Sequence, residues 1–413
     1  MKHFACRILL VTSLFSESFV ATAQWVQVTT PDGYARSLAA IGSKLFAGTS
    51  GNGVLVSTDT GTTWNHSSLT GITYVRSFLL TSRADAAHNL WAATREGLFL
   101  SGDSGETWTL INSAMTNEKD VSTVAVTGSD IFVGNNWGIY RSTDGGATWL
   151  KVKGQTGAAA RSIAVARASS GDTIIIAATY GNGLWRSTDR GTTWSKIIRL
   201  GSNKAACLAS VGPEFVAGLA DGRSYRSTNG GTSWIEIGAG LATDAVWGLY
   251  VHVSSAGTGA AFLLAATGHG AFFSADTGRS WSSIGLADQR LASIMVSTGQ
   301  IFAGGDYGGL WRRPLSEILA LIPPPPVEFS LEQNYPNPFN SGTVIRFSLA
   351  RAGFATLKIY DVLGREVASL VSGRLDAGSH FEGWTAAGVG SGIYFCRLRA
   401  EGFVDTKKLI LLR

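Results

Sequence analysis

From residue 37 onward the chain alternates short apolar runs with clusters of Gly, Asn, Asp and Ser, and helix-period stretches are scarce. One period shows the plan. Ser37–Ile41 reads as a first strand and Lys44–Gly48 as a second, because apolar residues dominate runs of strand length. Ser50, Gly51, Asn52 and Gly53 then turn the chain into a third strand at 54–56. The phrase Ser57-Thr58-Asp59-Thr60-Gly61-Thr62-Thr63-Trp64 makes the next turn, and Trp64 opens a fourth strand.

That phrase recurs as SGDSGETW from Ser101, STDGGATW from Ser142, STDRGTTW from Ser187, STNGGTSW from Ser227 and SADTGRSW from Ser274. The anchoring positions Asp59, Asp103, Asp144, Asp189, Asn229 and Asp276 are separated by 44, 41, 45, 40 and 47 residues. Repeats of that length holding only strand-like segments point to propeller blades. The chemistry of the turn accounts for its residues. Gly61 supplies a positive φ, and the Asp side chain accepts backbone N–H bonds across the turn. The hydroxyls close the same small network. The Trp residues (Trp64, Trp108, Trp149, Trp194, Trp234 and Trp281) are expected to bury their rings between blades while the indole N–H finds an acceptor. Asn229 can accept the same bonds, in a weaker network.

The six copies resemble Asp-box (BNR) repeats, as found in sialidases and photosystem stability-factor-like propellers, over roughly residues 24–315. The resemblance implies that the boxes are structural and face away from the ligand side. A seventh blade lacks a box: segments at 292–296, 300–304 and 309–312 repeat the first three strands before Pro314 ends the pattern. The segment Trp25-Val26-Gln27-Val28 is expected to supply its missing fourth strand, closing the ring and removing an exposed edge.

After Pro323–Pro326 the style changes. About seven short strands in under ninety residues predict a small immunoglobulin-like sandwich. The opening NYPNPFN at 334–340, LKIYDVLGREVASL at 357–370, SGIYFCRL at 391–398 and the terminal TKKLILLR closely resemble a type IX secretion system C-terminal sorting domain (type A). The resemblance implies export, recognition by the type IX machinery and its sortase, removal of the domain, and surface attachment or release. The expected fold class is all-β: a seven-bladed β-propeller at 24–320, a Pro-rich linker at 321–327 and the sandwich at 328–413.

Composition narrows this further. Apolar residues make up 45% and charged residues 15%, which permits a large β core and argues against disorder. Lys2 and Arg7, the apolar run at 8–15 and Ala21-Thr22-Ala23 read as a signal peptide over 1–23. Its apolar core is too short to remain as a transmembrane segment. Beyond it, 32 basic residues stand against 28 acidic ones without clustering, so nucleic acid is not an expected partner. Cys207 and Cys396 fall in different domains within apolar runs and read as buried free thiols. No metal site or cofactor is expected, since the six His residues lack ligand spacing.

On the face opposite the boxes, the turns after the second strands offer Arg95 and Glu96, Asn135, Asn136 and Trp137, Tyr180 and Asn182, Asp221, His269, and Asp306 with Tyr307. The entries to the first strands offer Tyr34 with Arg36, Tyr74 with Arg76, Arg161, Lys204, Asp244 with Trp247, and Arg290. Arg36, Arg76 and Arg161 occupy equivalent positions and are candidates for an anion cradle. With Trp137, Tyr180, Trp247 and Tyr307 they form the expected ligand-binding set. A sialidase uses an Arg triad, but this chain has no Arg-Ile-Pro segment near its N-terminus and no assignable Tyr–Glu nucleophile pair. An inverting, xyloglucanase-like hydrolase needs two carboxylates across a cleft, for which Glu96, Asp221 and Asp306 are candidates by position only. The reading is a secreted or surface-displayed, non-catalytic propeller that binds a glycan or a protein. An extracellular glycoside hydrolase and a structural surface component are the alternatives.

Overall fold

The computed structural model describes residues 24–412 except 31–34, 84, 86, 116–117, 153–157, 168–170, 198–203, 212–213, 239, 242–244, 253–261, 277, 306–308, 321–327, 376 and 387. The expected signal peptide and Pro-rich linker lie outside the described residues, as do Tyr34, Asp244, Asp306 and Tyr307. Between residues 26 and 314 the strands form seven four-stranded antiparallel sheets. Blade 1 holds Ser37–Ile41, Lys44–Gly48, Val54–Ser57 and Asn65–His66. Blades 2 to 6 repeat that plan from Val75, Thr123, Ala159, Ala205 and Val246. Blade 7 takes Leu291–Ser297, Gln300–Gly305 and Leu310–Pro314 from one end of the chain and Val26–Val28 from the other. The first strands of consecutive blades touch in order, and that of blade 7 returns to that of blade 1, so the ring is closed.

The second strands carry the core. Leu45, Phe46 and Ala47 are fully buried, as are Ile175, Ile176, Ala177 and Ala178. Strands covered on both faces read as continuous apolar runs, which explains why these segments lack polar alternation. Between blades, ring packing is supplemented by small donors on the first strands. The Ser37 hydroxyl donates to the Val75 carbonyl of the next blade at 3.3 Å, and the Cys207 thiol donates to the Val246 carbonyl at the same distance. Cys207 therefore stands where five of the other blades carry Ser or Thr and blade 6 carries Gly248. Burial pushes its thiol, and that of Cys396, up to about 12, so both remain protonated.

The repeated turn has the expected chemistry, with one addition. In blade 1 the Ser57 hydroxyl donates to Asp59 Oδ1 (2.8 Å) and accepts from the Gly61 N–H (2.8 Å). Thr63 donates its N–H to Asp59 Oδ1 (2.9 Å) and its hydroxyl to Oδ2 (2.6 Å). At Asn229 the same frame holds with one bond reversed, because the amide Nδ2 donates to the Ser233 hydroxyl at 2.8 Å. The indole N–H of Trp281 donates to the Gly278 carbonyl at 2.7 Å, and Trp64, Trp149, Trp194 and Trp234 make the equivalent bond. The Nε1 of Trp108 is buried with no partner among the described residues. The addition is a second positive φ, at Thr60, Ser104 and Arg190, one residue before the turn glycine.

These hydrogen bonds set an acid response. The Thr107 side chain, then its backbone N–H and the Ser101 hydroxyl, lower the Asp103 carboxyl to about 2 from an ordinary 3.8. Thr148 and Ser142 lower Asp144 to about 2 in the same way. A carboxyl depressed in the folded state contributes stability that is complete above its unfolded value and is lost as pH falls through its folded value. Denaturant titrations are expected to show stability falling between about pH 3.8 and about pH 2. The double variant Asp103→Asn/Asp144→Asn should have a shallower slope in that window. An unchanged slope would remove the turns from the acid response.

After blade 7, Leu315–Leu319 forms one helical turn that buries Leu315 and Ile318 against blades 6 and 7. Residues 330–411 form a two-sheet sandwich. Ser330–Leu331, Gly342–Leu349 and Gly378–Thr385 make the smaller sheet, and Glu366–Leu375, Gly353–Asp361, Gly392–Ala400 and Phe403–Leu411 the larger. Thr343, Ile345, Phe347 and Leu349 face the core while Val344 and Arg346 face outward, the period-two pattern of a half-buried strand. The NYPNPFN opening clasps the last strand: the Ile410 N–H donates to Asn337 Oδ1 (2.9 Å), and the Leu412 N–H donates to the Phe339 carbonyl (2.8 Å).

Candidate functional site

The first strands break register near their start in five blades. Pairing skips Arg76, Arg161, Ala206, Trp247 and Ala292, each of which is the extra residue of a bulge. A bulge bends its strand and re-aims one side chain. The equivalent positions in blades 1 and 3 are Arg36 and Ser122, set by Ser37 pairing with Gly48 and Thr123 pairing with Gly134. The residue before each (Ala35, Val75, Val121, Ala160, Ala205, Val246 and Leu291) is an almost fully buried apolar one. The chain thus anchors one position and directs the next toward the mouth of the central channel.

Arg76 and, more weakly, Arg36 lie near enough to Arg161 for their charges to act on it. Arg161 is exposed, yet the protein around it desolvates its charge. Desolvation, then the charge of Arg76 and, more weakly, of Arg36, lowers its pKa, and Asp120 opposes the shift. Arg76 is engaged: its Nε and Nη2 donate to Asp120 Oδ1 and Oδ2, both at 2.8 Å, in a bidentate pair. Asn136 Nδ2 also donates to Asp120, at 3.4 Å. No carboxylate is paired with Arg161 among the described residues. Its guanidinium lies 5.9 Å from the Tyr180 ring centroid, and Lys204 Nζ lies 5.6 Å from the same ring. Around the mouth Arg95 sits over Tyr74 at 5.6 Å and Arg290 over Trp247 at 5.1 Å. Gathering like charges is unfavourable without a counter-charge, and such clusters mark sites.

The remaining candidates are dispersed. Trp137 is 44% exposed at a turn held by its N–H donating to Asn135 Oδ1 (2.8 Å). Asn182 accepts from Lys196 Nζ at 2.7 Å, and the His269 N–H donates to Thr267 Oγ1 at 3.1 Å. Glu96 accepts the Thr73 hydroxyl, and Asp221 pairs with Arg223 two residues on, at 2.6 Å. These two carboxylates lie on blades 2 and 5, three steps apart around the ring. Asp120 is the residue missed by sequence reading. Its signal was a lone acid just before the buried Val121 that starts blade 3, without a repeat-mate to draw notice.

Residues 333–412 match the family model described as a secretion system C-terminal sorting domain. That tail marks the chain for export to the cell surface or the extracellular space. None of the curated proteins matches the chain. Among solved structures the chain is similar to YCF48 from Cyanidioschyzon merolae, at 17% identity and TM-score 0.53 over 71% of this chain and 99% of that one. It is also similar to the extracellular domain of the hybrid two-component system BT4673 of B. thetaiotaomicron, at 13% identity and TM-score 0.55 over 95% and 59%. A third is the GH74 enzyme of Niastella koreensis, at 17% identity and TM-score 0.53 over 68% and 43%. At these identities the likeness shows the fold, a β-propeller.

Proposed function

We propose that the chain is an exported binding propeller whose channel mouth takes an anionic group of a glycan or a protein without turning it over. The observation that supports this reading is that Arg36, Arg76 and Arg161 share one repeated position and that the charges of Arg76 and Arg36 act on Arg161, with Asp120 as the paired counter-charge of Arg76. Tyr180, Trp247 and Trp137 supply aromatic surface around it. The turns act as Asp boxes, holding blades together on the far side. The same fold carries a bound D1 peptide in YCF48 and glycoside hydrolysis in GH74, so function rests on the mouth and not on the scaffold. Export begins at the 1–23 signal peptide and ends with the type IX machinery, whose sortase removes the immunoglobulin-like tail.

The test is binding of the purified chain to immobilised acidic and neutral glycans and peptides, with released reducing sugar assayed in parallel. Acidic ligands should bind, and Arg161→Ala should weaken them about tenfold or more, the loss of one charge-assisted contact. Binding should fall as salt rises. Equal binding of neutral ligands, or an unaffected Arg161→Ala variant, would sink the anion reading. Sugar release lost in Glu96→Ala or Asp221→Ala would replace it with the hydrolase.

A further inference from the structure

The sixth turn carries a residue that its siblings lack. Where the other copies have Thr62, Glu106, Ala147, Thr192 and Thr232, it has Arg279. That side chain leaves its own blade and reaches the sandwich. Arg279 Nη2 donates to the backbone carbonyl of Phe381, and its guanidinium lies 4.3 Å from the centre of the Phe381 ring. Arg346 of the sandwich lies 5.1 Å from the same ring, so a guanidinium from each domain contacts one aromatic.

Phe381 lies in Gly378–Thr385, which pairs with Gly342–Leu349 and is the outer strand of the smaller sheet. An outer strand presents main-chain groups that template pairing with another chain. Arg279 occupies one of those carbonyls.

The neighbouring residue completes the contact. Glu382 is half-buried, and desolvation raises its pKa while Arg279 and Arg226 act against that rise. Arg226, on blade 5, is 8% exposed and donates to Glu214 Oε2 through Nη2 at 2.6 Å and through Nε at 3.0 Å. Its third nitrogen, Nη1, is buried with no partner among the described residues. Glu214, Arg226 and Arg279 of the propeller thus lie within electrostatic reach of Glu382 of the sandwich, two charges of each sign. A balanced cluster of that kind favours one docking geometry more than it adds affinity.

We infer that the box-bearing rim of blades 5 and 6 is a docking surface for the chain's own sorting domain, and that Arg279 closes the outer strand of its smaller sheet. The propeller thereby shields that strand from pairing with other chains while the domain remains attached. The box face, structural within each blade, has one copy adapted to this second role.

The test uses the full chain from residue 24. Hydrogen exchange should show the amides of 378–385 protected, and small-angle scattering should give a single compact particle. Arg279→Glu should speed exchange there about tenfold or more and enlarge the particle, while 262–267 of blade 6 and 392–400 of the sandwich stay protected. Arg279→Lys, which keeps a cationic donor, should retain most of the protection. Exchange at 378–385 unaffected by Arg279→Glu would overturn the inference. So would wild-type scattering of two units on a free tether, or an Arg279→Lys variant that exchanges as fast as Arg279→Glu.

Discussion

Replacing Gly191 by Ala is expected to destabilise the propeller by about 2–4 kcal/mol, the sum of a left-handed backbone and an overpacked contact. Gly191 has φ +78°, and a Cβ placed on it would lie 2.3 Å from Cε1 and 2.6 Å from Cζ of Phe132. Phe132 cannot yield easily. It belongs to blade 3, is fully buried, and meets the Trp194 ring edge-on with centroids 6.4 Å apart. The same close approach recurs where Gly61 meets Phe302 and where Gly105 meets Phe46. These three turn glycines are therefore seats for an aromatic ring of the preceding blade, whereas Gly146, Gly231 and Gly278 meet Ile111, Ile176 and Ile237. Gly128→Ala isolates the backbone share, because Gly128 also has positive φ (+61°) but nothing within 4 Å of a new Cβ. It should cost only about 1 kcal/mol. Urea midpoints compared at unchanged slope would decide it. Equal losses in the two variants would remove the ring contact from the account.

Deleting residues 24–30 is expected to reopen the ring. Val26, Gln27 and Val28 pair with Arg312, Trp311 and Leu310, and the Trp25 indole donates to the Ile284 carbonyl at 2.6 Å. Ile284 also accepts from Arg313 at 2.8 Å, so one carbonyl ties the last full blade to both chain ends. Trp25 is only partly buried, so its loss costs less than the roughly 3–5 kcal/mol of a core aromatic, but the deletion also exposes a sheet edge. The truncated chain should melt well below the parent and self-associate on size exclusion with light scattering. A monomer of unchanged melting temperature would show that blade 7 is stable with three strands.

The repeat made most of this architecture legible. Its period fixed the blades, and the missing fourth strand of blade 7 could be matched to Trp25–Val28 because each box Trp opens the equivalent strand. The sandwich strands followed from period-two alternation such as that of 342–349. The site was only partly readable. Equivalence of Arg36, Arg76 and Arg161 was visible in the letters, but the bulge that re-aims Arg76 and Arg161 leaves no compositional trace. Nor does the neutralisation of Arg76, because Asp120 belongs to a neighbouring blade 44 residues away. Arg279 was hidden for the opposite reason. Inside a phrase recognised as structural, its departure from Thr, Glu and Ala looked like ordinary drift.

Seven positions, from Arg36 through Arg76, Ser122, Arg161, Ala206 and Trp247 to Ala292, stand between an apolar residue committed to the core and a small residue committed to the next blade. The middle members differ in what else they do: Ser122 and Ala206 are themselves buried and Arg76 is tied to Asp120, whereas Arg161 is exposed. The mouth therefore behaves as a word of which only certain letters can be rewritten at little cost to the page, and new ligands are within reach of single substitutions at those letters.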